Sequence, residues 1–303
     1  MRNSFAKHLL EIAQKDESVL LITGDLGYGV LDEFQKQLPK QYINSGVAEQ
    51  SMMSMAAGLA SRGYRPFVYS IANFPTFRCL EQIRNDVCYM KNPVTVVAVG
   101  AGLGYGVHGY THHAVEDIAI MRAMPNMQIY SPADSIETNY CVDLILANQS
   151  PAYLRLGKGG EPLINSKPLG AEPANVIIDQ GPDGVICWTG GIGAKALSAS
   201  GLLKEIGINP TLISVPVLSE KTISQLLETA DGRKILSLEE HTLAGGFGSW
   251  ILEVAADKGY SGQIARLGVT RETNTQIGTQ NYLLEYSGLS PEAISSKFQE
   301  LLN

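Results

Sequence analysis

Short apolar runs alternate with helical stretches along the first half of the chain, and each run ends at a glycine-containing or polar turn. Continuous apolar runs followed by helices are typical of parallel strands that helices cover on both faces. This alternation predicts an α/β fold. The expected strands are residues 19–22, 67–72, 93–99 and 127–130, and the expected helices are residues 1–14, 50–60, 75–90, 114–124 and 133–148.

The same pattern restarts after a glycine- and proline-rich segment at residues 157–173. A chain of 303 residues is too long for one ordinary hydrophobic core. We therefore predict two domains, each a mostly parallel sheet flanked by helices. Their bounds are residues 1–160, a linker at 161–174, and residues 175–303, with strands in the second domain at 185–189, 211–217, 234–238 and 263–269.

Charge and cysteine content narrow the classes of function. The net charge of −7 argues against nucleic acid or an anionic membrane as the main partner. The four cysteines are scattered without a Cys-x-x-Cys pair, as expected of reduced core residues in a cytoplasmic protein. The first 14 residues predict an amphipathic helix rather than a signal peptide, and no segment has the roughly 20 apolar residues of a membrane span.

One carboxylate stands out because it opens an otherwise apolar helix. Glu49 follows a small-residue turn and precedes a helical stretch, residues 50–60, that has almost no polar face. An acidic residue in a first helical turn commonly does no more than interact with the helix dipole. The alternative is a buried acid, kept protonated so that it shares a proton with a ligand heteroatom.

A glycine-rich loop at residues 100–113 carries three of the five histidines. Its spacing fits a dinucleotide-binding loop poorly. A metal site built from His108, His112 and His113, as in a hydrolase, lacks nearby cysteines and has few carboxylates, so we predict no metal ligands in this chain. Hydrogen bonding and proton transfer to a polyol or carbonyl are better uses of imidazoles on a loop.

Two further turns follow predicted strands. Phe74 and Phe77 could be ordinary core residues or could offer a flat face to a heteroaromatic ring. Residues 239–249 form a strand end, a glycine turn and a helix start. Exposed N–H groups at such a turn can bind an anion, although more often the turn only lets the helix and strand pack closely.

Taken together, these segments resemble the C-terminal half of a transketolase. The resemblance runs along essentially the whole chain in the same order, and the joint pattern is much more specific than any single motif. It implies a pyrimidine-binding domain of a thiamine diphosphate enzyme followed by a transketolase C-terminal domain. The matching segments are residues 46–50, 74–86, 109–112, 116–117, 125–127, 132–134 and 239–241.

The resemblance also implies roles for individual residues. Glu49 matches the glutamate that shares a proton with the coenzyme's aminopyrimidine, and Phe74 and Phe77 match the aromatic positions packed against that ring. His112 matches a histidine that faces substrate oxygens and is expected to be catalytic together with Glu49. Asp25 and Leu26 are a weaker match, to a loop near the thiazolium.

Several positions depart from the family pattern at the substrate end. His108 stands where the family has an aspartate, and Lys158 aligns approximately with an arginine of the phosphate site, which removes the bidentate fork. A phosphate-binding histidine aligns with Gly100. A serine aligns near Gly29, beside Tyr28, and we expect Tyr28, His108, His112 and Lys158 to contact the substrate.

The family's Gly-Asp-Gly magnesium motif is missing, because residues 23–27 read Thr-Gly-Asp-Leu-Gly. The chain is therefore expected to grip only the pyrimidine end of thiamine diphosphate, while an N-terminal, diphosphate-binding partner subunit holds Mg²⁺. Homodimerisation through this chain would give a heterotetramer that transfers a two-carbon ketol unit between sugars or sugar phosphates. The alternatives are a subunit similar to deoxyxylulose phosphate synthase, a 2-oxo acid dehydrogenase β subunit, or a noncatalytic assembly subunit.

Overall fold

The computed structural model describes residues 1–166 and 168–303 and contains two β-sheets. The strands of the first half are β1 (Val19–Thr23), β2 (Tyr42–Asn44), β3 (Arg65–Ile71), β4 (Thr95–Val99), β5 (Gln128–Tyr130) and β6 (Ala152–Leu156). Those of the second half are β7 (Val176–Asp179), β8 (Val185–Thr189), β9 (Thr211–Ser214), β10 (Val217–Leu218), β11 (Ile235–Thr242) and β12 (Ile264–Val269).

The first sheet has seven strands in the order β10-β5-β6-β4-β3-β1-β2. All of its pairings are parallel except that of β10 with β5. Strands β6, β4 and β3 lie at its centre, and β1 pairs with β3 beside them. Ile22 of β1 pairs with Val68 of β3, and Val68 with Val96 of β4. These side chains are fully buried, as continuous apolar strands covered on both faces must be.

The second sheet has five strands in the order β12-β11-β8-β9-β7, and only the β7–β9 pairing is antiparallel. The predicted fold class, two mostly parallel sheets flanked by helices, is confirmed. Strands β2, β6 and β7 were absent from the prediction.

The predicted single strand at residues 211–217 is wrong, because the chain divides there between the two sheets. β9 stays in the second sheet, whereas β10 adds an antiparallel edge strand to the first. Pro216 lies between them and cannot donate to a strand ladder. Its carbonyl instead accepts a hydrogen bond from the Ser131 N–H at 2.7 Å, which ties this crossing to the end of β5.

Helices cover both sheets. Two of the predicted helices, at residues 75–90 and 114–124, differ from the prediction, and α2 and α11 were absent from it. The expected helix at 75–90 is three pieces, because Cys79 leaves the helical region at φ −105° and ψ 14°, and the last piece is a π-helix at Ile83–Tyr89. The α-helices are α1 (Arg2–Ala13), α2 (Asp32–Gln37), α3 (Glu49–Ala60), α4 (Asn73–Phe77), α5 (Leu80–Gln82), α6 (Asp117–Arg122), α7 (Ser135–Ala147), α8 (Gly193–Glu205), α9 (Glu220–Ala230), α10 (Phe247–Lys258), α11 (Gln280–Tyr286) and α12 (Pro291–Leu302).

The predicted helix at 114–124 begins only at Asp117, as α6. Ala114 is instead paired with Gly102 across the histidine loop, through N–H to carbonyl bonds of 2.8 and 3.0 Å. This pairing closes the loop on itself and holds both of its ends next to the sheet. The intervening residues contain two short 3₁₀ turns, Gly106–His108 and Tyr110–His112.

Helix α3 packs its apolar side against the centre of the first sheet. Met52, Met53 and Ala56 are fully buried in the core that also contains Ile22 and Val68. This packing fixes the position of the helix start, where Glu49 lies. Among the described residues, no helix is both long and apolar enough to cross a membrane.

Candidate functional site

The sequence-predicted site residues lie where the strands of the first sheet reach their carboxyl ends. Glu49 follows β2, Phe74 follows β3, His112 lies in the loop after β4, and Lys158 follows β6. Parallel strands bring such loops to one edge of the sheet, which is where open α/β sheets bind ligands. Residues distant in sequence therefore meet at this edge.

Glu49 is the first residue of α3 and is only 5% exposed. Its Oε2 accepts a hydrogen bond from Arg78 Nη1 at 3.1 Å. The backbone of Arg78 is held by the same helix, because Gln50 Nε2 donates to the Arg78 carbonyl at 3.0 Å. The carboxyl of Glu49 thus faces the segment that follows β3.

Phe74 forms the next contact of the site. The Arg78 guanidinium lies over its ring, with Cζ 4.4 Å from the ring centroid. The His112 ring approaches Phe74 edge-on, with 5.2 Å between centroids and 69° between planes. Such edge-to-face and cation–π contacts each contribute on the order of 1 kcal/mol. The half-buried Phe74 ring therefore links the carboxylate end of the site to the histidine end.

His112 lies against His108, with ring centroids 4.9 Å apart. Burial lowers the pKa of His112, and the charges of His108 and Arg78 lower it further. Its Nδ1 is 3.0 Å from the Thr111 hydroxyl, whereas its Nε2 has no hydrogen-bond partner among the described residues. A neutral imidazole of this kind can exchange hydrogen bonds and protons with substrate oxygens near neutral pH.

Tyr105 extends the site beyond the histidines and was missed by the sequence analysis. Its ring lies 6.2 Å from the ring of His108, centroid to centroid, and the Lys158 ammonium lies 4.9 Å from the centroid of Tyr105. A Cβ atom on Gly100, whose φ is +76°, would overlap the Tyr105 ring. The need for glycine at this position is the sequence signal that a ring fills the space beside it.

These contacts form one continuous line of side chains, which we call the site row. Arg78 and Tyr105 are its unpredicted members. The row runs through Glu49, Arg78, Phe74, His112, His108, Tyr105 and Lys158.

Asp25, Leu26 and Tyr28 lie in the neighbouring loop after β1. The Asn44 side-chain oxygen accepts hydrogen bonds from the N–H groups of Asp25 and Gly46, each at 3.0 Å, and so joins this loop to the turn before Glu49. Hydrogen bonds from Asn44 and then Tyr28 lower the pKa of Asp25. Tyr28 is 76% exposed. The loop is adjacent to the site row, and its role in binding stays a prediction.

Two other predicted residues lie off the row. Phe77 is an exposed neighbour of Arg78 whose ring makes no aromatic contact among the described residues. His113 is buried, and burial lowers its pKa. In residues 1–166 and 168–303, no three histidine, cysteine or acidic side chains are arranged to hold a metal ion.

In the glycine turn at 239–249, the first two N–H groups of α10 are already bonded within the chain. The buried carboxylate of Glu239 accepts hydrogen bonds from the N–H groups of Phe247 and Gly248, at 2.6 and 2.9 Å. The anion-binding interpretation is therefore wrong for these two groups, because the chain supplies its own carboxylate. The close packing of helix and strand is the better interpretation of this turn.

Family comparisons cover both halves of the chain. The family described as "Transketolase, pyrimidine binding domain" matches residues 1–160, and the family described as "Transketolase, C-terminal domain" matches residues 174–294. The first match alone covers more than half of the 303 residues.

Individual relatives agree with these matches. A "Putative transketolase C-terminal section" of Methanocaldococcus jannaschii is 33% identical over 99% of this chain and 95% of its own length. One subunit of an apulose-4-phosphate transketolase of Phocaeicola vulgatus is 32% identical over 97% of this chain and 94% of its own length. A 1-deoxy-D-xylulose-5-phosphate synthase of Prochlorococcus marinus is 34% identical, but this chain covers only 46% of it.

Solved structures show the same relationship. A chain described as "Split gene transketolase, inactive beta4 tetramer" has a TM-score of 0.88 and 32% identity, with 99% of this chain and 97% of that chain covered. A transketolase from Pichia stipitis has a TM-score of 0.80 and 22% identity, with 99% of this chain and 45% of that chain covered, and shares the fold. The chain belongs to the transketolase family and corresponds to its C-terminal half.

Proposed function

We propose that this chain is the C-terminal subunit of a split, thiamine diphosphate-dependent transketolase that moves a two-carbon ketol unit between sugars or sugar phosphates. The observation that carries the proposal is the pairing of a buried carboxyl, Glu49, with the half-exposed ring of Phe74 through a single flexible guanidinium. Family membership alone gives the fold and the general class of chemistry, whereas these side chains give the site.

The chain's residues fit one end of the coenzyme. An aminopyrimidine is a flat heteroaromatic ring with nitrogens at its edge, and the site row offers an aromatic face next to a buried carboxyl. Thiamine diphosphate, when bound, supplies the carbon nucleophile and the electron sink for cleaving a bond next to a ketose carbonyl. Glu49 would hold a proton at the ring edge, and Phe74 would orient the ring.

The other end of the site row suits the sugar. His112 has a neutral imidazole at working pH, with one nitrogen engaged by Thr111 and the other available to a substrate hydroxyl or carbonyl oxygen. His108 and Lys158 lie beyond it on exposed loop positions, where they can bind the acceptor. Lys158 provides a point charge for a phosphate but no bidentate contact. Tyr28 would contact the same substrate from the loop after β1.

The diphosphate and its Mg²⁺ require a second polypeptide. Residues 23–27 read Thr-Gly-Asp-Leu-Gly, which is not the family's Gly-Asp-Gly magnesium motif, and the Asp25 carboxylate accepts hydrogen bonds from Asn44 and Tyr28. One relative is described as a C-terminal section and another as a single transketolase subunit of similar length, which supports a division of the enzyme between chains. Asp25 and Leu26 would then contact the coenzyme from this side, close to the partner.

We further propose a heterotetramer of two such chains and two diphosphate-binding chains. A related split-gene chain is described as a tetramer of its own kind, which supports self-association through this half. The four cysteines are free and buried, consistent with a place in cytoplasmic carbohydrate metabolism. The division at residues 160 and 174 is also a proposal, supported by the lack of helix or strand at residues 157–166 and 168–175.

A second candidate is a subunit that makes a deoxyxylulose phosphate-like product from a 2-oxo acid. This second candidate is supported by the 34% identity to a deoxyxylulose phosphate synthase over 98% of this chain. The two reactions differ in their donor, because a 2-oxo acid must release CO₂ and a ketose does not. The unbroken site row argues against a noncatalytic assembly subunit, which would have no use for it.

The test is to assay ketol transfer with this chain alone, with the diphosphate-binding chain alone, and with both. We expect turnover only in the mixture containing thiamine diphosphate and Mg²⁺. Robust turnover by the isolated chain would contradict the split site. CO₂ release from a 2-oxo acid, without ketol transfer from a ketose, would replace the first candidate by the second.

A further inference from the structure

Arg78 lies between the two side chains on which the proposed coenzyme site depends. Its Nη1 is 3.1 Å from Glu49 Oε2, and its Cζ is 4.4 Å from the centroid of the Phe74 ring. One guanidinium therefore engages both the hydrogen-bonding atom and the aromatic face. A guanidinium is itself flat and rich in N–H donors, so it resembles the edge of an aminopyrimidine in shape and hydrogen bonding.

The hold on this guanidinium is weak and local. The Arg78 side chain is 53% exposed, and Glu49 is its single hydrogen-bond acceptor among the residues that the structure describes. The backbone of Arg78, by contrast, is fixed by the hydrogen bond from Gln50 to its carbonyl. The side chain can therefore rotate away while the segment that carries Phe74 stays in place.

A planar ring that bonds Glu49 while resting on this face of Phe74 needs the volume that the guanidinium fills. The Phe74 ring also contacts the His112 ring, with 5.2 Å between centroids and 69° between planes. A ligand ring and the Arg78 guanidinium would compete for the same two groups. Occupancy of one then excludes the other.

We propose, resting on the function proposed above, that Arg78 is a positioning residue that occupies the pyrimidine subsite and is displaced when the coenzyme ring enters. The guanidinium keeps the buried Glu49 carboxyl paired and the Phe74 ring in place before binding. The fraction of molecules with Arg78 turned away sets the apparent affinity, because only those molecules accept the ring. The ligand class is a planar heteroaromatic ring with a nitrogen edge.

The test uses the complex of this chain with its diphosphate-binding partner, with thiamine diphosphate and Mg²⁺ as the probe. We expect Arg78→Ala to bind thiamine diphosphate about three- to tenfold more tightly than the wild type. The ion pair with Glu49 and the cation–π contact with Phe74 together favour the conformer in which Arg78 fills the subsite by about this factor. The gain should lie in the association rate measured by stopped flow, with the dissociation rate little changed. Arg78→Lys keeps the charge but loses the planar guanidinium, so its affinity for thiamine diphosphate should lie between those of the wild type and Arg78→Ala.

Arg84→Ala is the matched control, because Arg84 is an exposed arginine on the same segment whose side chain bonds only to Asn85 among the described residues. It should bind thiamine diphosphate like the wild type. Arg78→Gln provides a second variant, and circular dichroism with a thermal melt verifies folding. Unchanged or weaker binding in both Arg78→Ala and Arg78→Gln would overturn the proposal, as would an equal gain in Arg84→Ala. Failure of the wild-type complex to bind the coenzyme would instead overturn the proposed function, and this inference with it.

Discussion

Two regions of this molecule are dense in ionisable side chains, yet they differ in every physical respect that decides function. The site row lies at the carboxyl edge of the first sheet, and all of its side chains except the buried Glu49 are partly or fully exposed. The second region, which we call the buried cluster, lies between the two sheets. It comprises Asp117, Tyr153, Arg155, Glu239, Glu240 and His241.

The buried cluster satisfies its own hydrogen bonds almost completely. Asp117 Oδ2 accepts from Tyr153 and from Arg155 Nε, at 2.6 and 2.7 Å, and Arg155 Nη2 donates to the Glu240 carbonyl across the sheets at 2.8 Å. Burial, the largest influence, acts to raise the pKa of Asp117, but the charges of Arg155 and His241 and two hydrogen bonds outweigh it and hold the pKa low. Asp117, Tyr153 and Arg155 therefore bond to one another, while the carboxylates of Glu239 and Glu240 accept hydrogen bonds from backbone N–H groups.

The site row, by contrast, has side-chain hydrogen-bonding groups without partners among the described residues. His112 has one nitrogen available, and the side chains of Arg78, His108 and Lys158 are exposed. The two regions therefore have similar charge density but differ in exposure and in unfilled hydrogen-bonding capacity, which are the features expected of a functional site. The predictions below test this division, since changes in the row should alter activity and changes in the cluster should alter stability.

The largest effect is expected from Glu49→Gln. The amide keeps the size of the side chain but cannot hold and release the proton at the coenzyme ring, so turnover of the two-chain complex should fall by about 10²- to 10⁴-fold. The free energy of unfolding should change by less than about 1 kcal/mol, because the ion pair of Glu49 with the half-exposed Arg78 contributes little to stability. Initial rates and urea denaturation measure the two quantities.

Glu81→Gln is the matched control for this change, because Glu81 is an exposed glutamate in α5 with no side-chain hydrogen bond among the described residues. It should leave turnover unchanged. A Glu49→Gln complex with near-wild-type rates would contradict the proton-sharing role and would make Glu49 a simple helix-start residue.

The reverse pattern is expected from Asp117→Asn in the buried cluster. Removing the carboxylate leaves the Arg155 guanidinium, which is 3% exposed, without its counter-charge. Breaking one partner of a buried ion pair typically costs about 3–5 kcal/mol. The free energy of unfolding in urea should fall by that amount, and the complex that remains folded should keep kcat within about threefold.

Asp257→Asn, an exposed carboxylate on α10, provides the control and should leave the unfolding free energy within about 0.5 kcal/mol of the wild type. If folded Asp117→Asn protein lost activity without losing stability, the buried cluster would have to be counted as part of the site.

The sequence could predict the sheets better than the contacts between them. A strand such as β4 can be recognised from its sequence, because every residue is buried and the run is therefore almost continuously apolar. β6 carries the charged Arg155 next to its last residue and was missed. The burial of Arg155 depends on Asp117, the first residue of α6 and nearly 40 residues away, and no local pattern reveals this pairing. β9 and β10 were merged, because the sheet that each joins is decided by tertiary packing.

The site shows the same limit. Glu49, Phe74, His112, His108 and Lys158 were singled out from the sequence, and the structure brings all five into one row. Their roles in binding and catalysis stay predictions. Arg78 and Tyr105 were missed because each matters through a neighbour in space, the first through Glu49 and Phe74, the second through Gly100 and Lys158.

A smaller effect is expected in the pH dependence of stability. Burial raises the pKa of Glu239 to about 7, against two backbone hydrogen bonds that lower it. A carboxyl whose pKa is higher in the folded than in the unfolded state stabilises the fold below the unfolded pKa and loses that contribution as pH rises through the folded one. Unfolding free energy should therefore fall by on the order of 2 kcal/mol between about pH 4.5 and 7 on account of Glu239.

Glu239→Gln, which cannot ionise, should flatten this part of the pH profile measured by urea denaturation. Glu228→Gln, at an exposed position on α9, should leave the slope unchanged. An equal slope in wild type and Glu239→Gln would mean that Glu239 does not titrate in this window. It would also argue against a purely structural role for Glu239 and the turn at residues 239–249.

The smallest effect is expected from His108→Asp within the site row. The change replaces an imidazole 4.9 Å from the His112 ring by a carboxylate, which can only accept hydrogen bonds when ionised. A substrate hydroxyl would then be bound as a donor, and the ratio of kcat/KM between acceptor sugars should shift about three- to tenfold toward the sugars that other family members use, equivalent to about 1 kcal/mol. The carboxylate should also raise the pKa of His112, because one cause of its lowering, the charge of His108, is removed and an opposite charge is added.

Val107→Asp is the control, because it places the same charge one residue away at an exposed position. It should change the acceptor preference and the pKa of His112 less than His108→Asp does. An unchanged acceptor profile in His108→Asp would remove His108 from the substrate-binding part of the row, while a shift of equal size in Val107→Asp would show that net charge, and not the position beside His112, controls the preference.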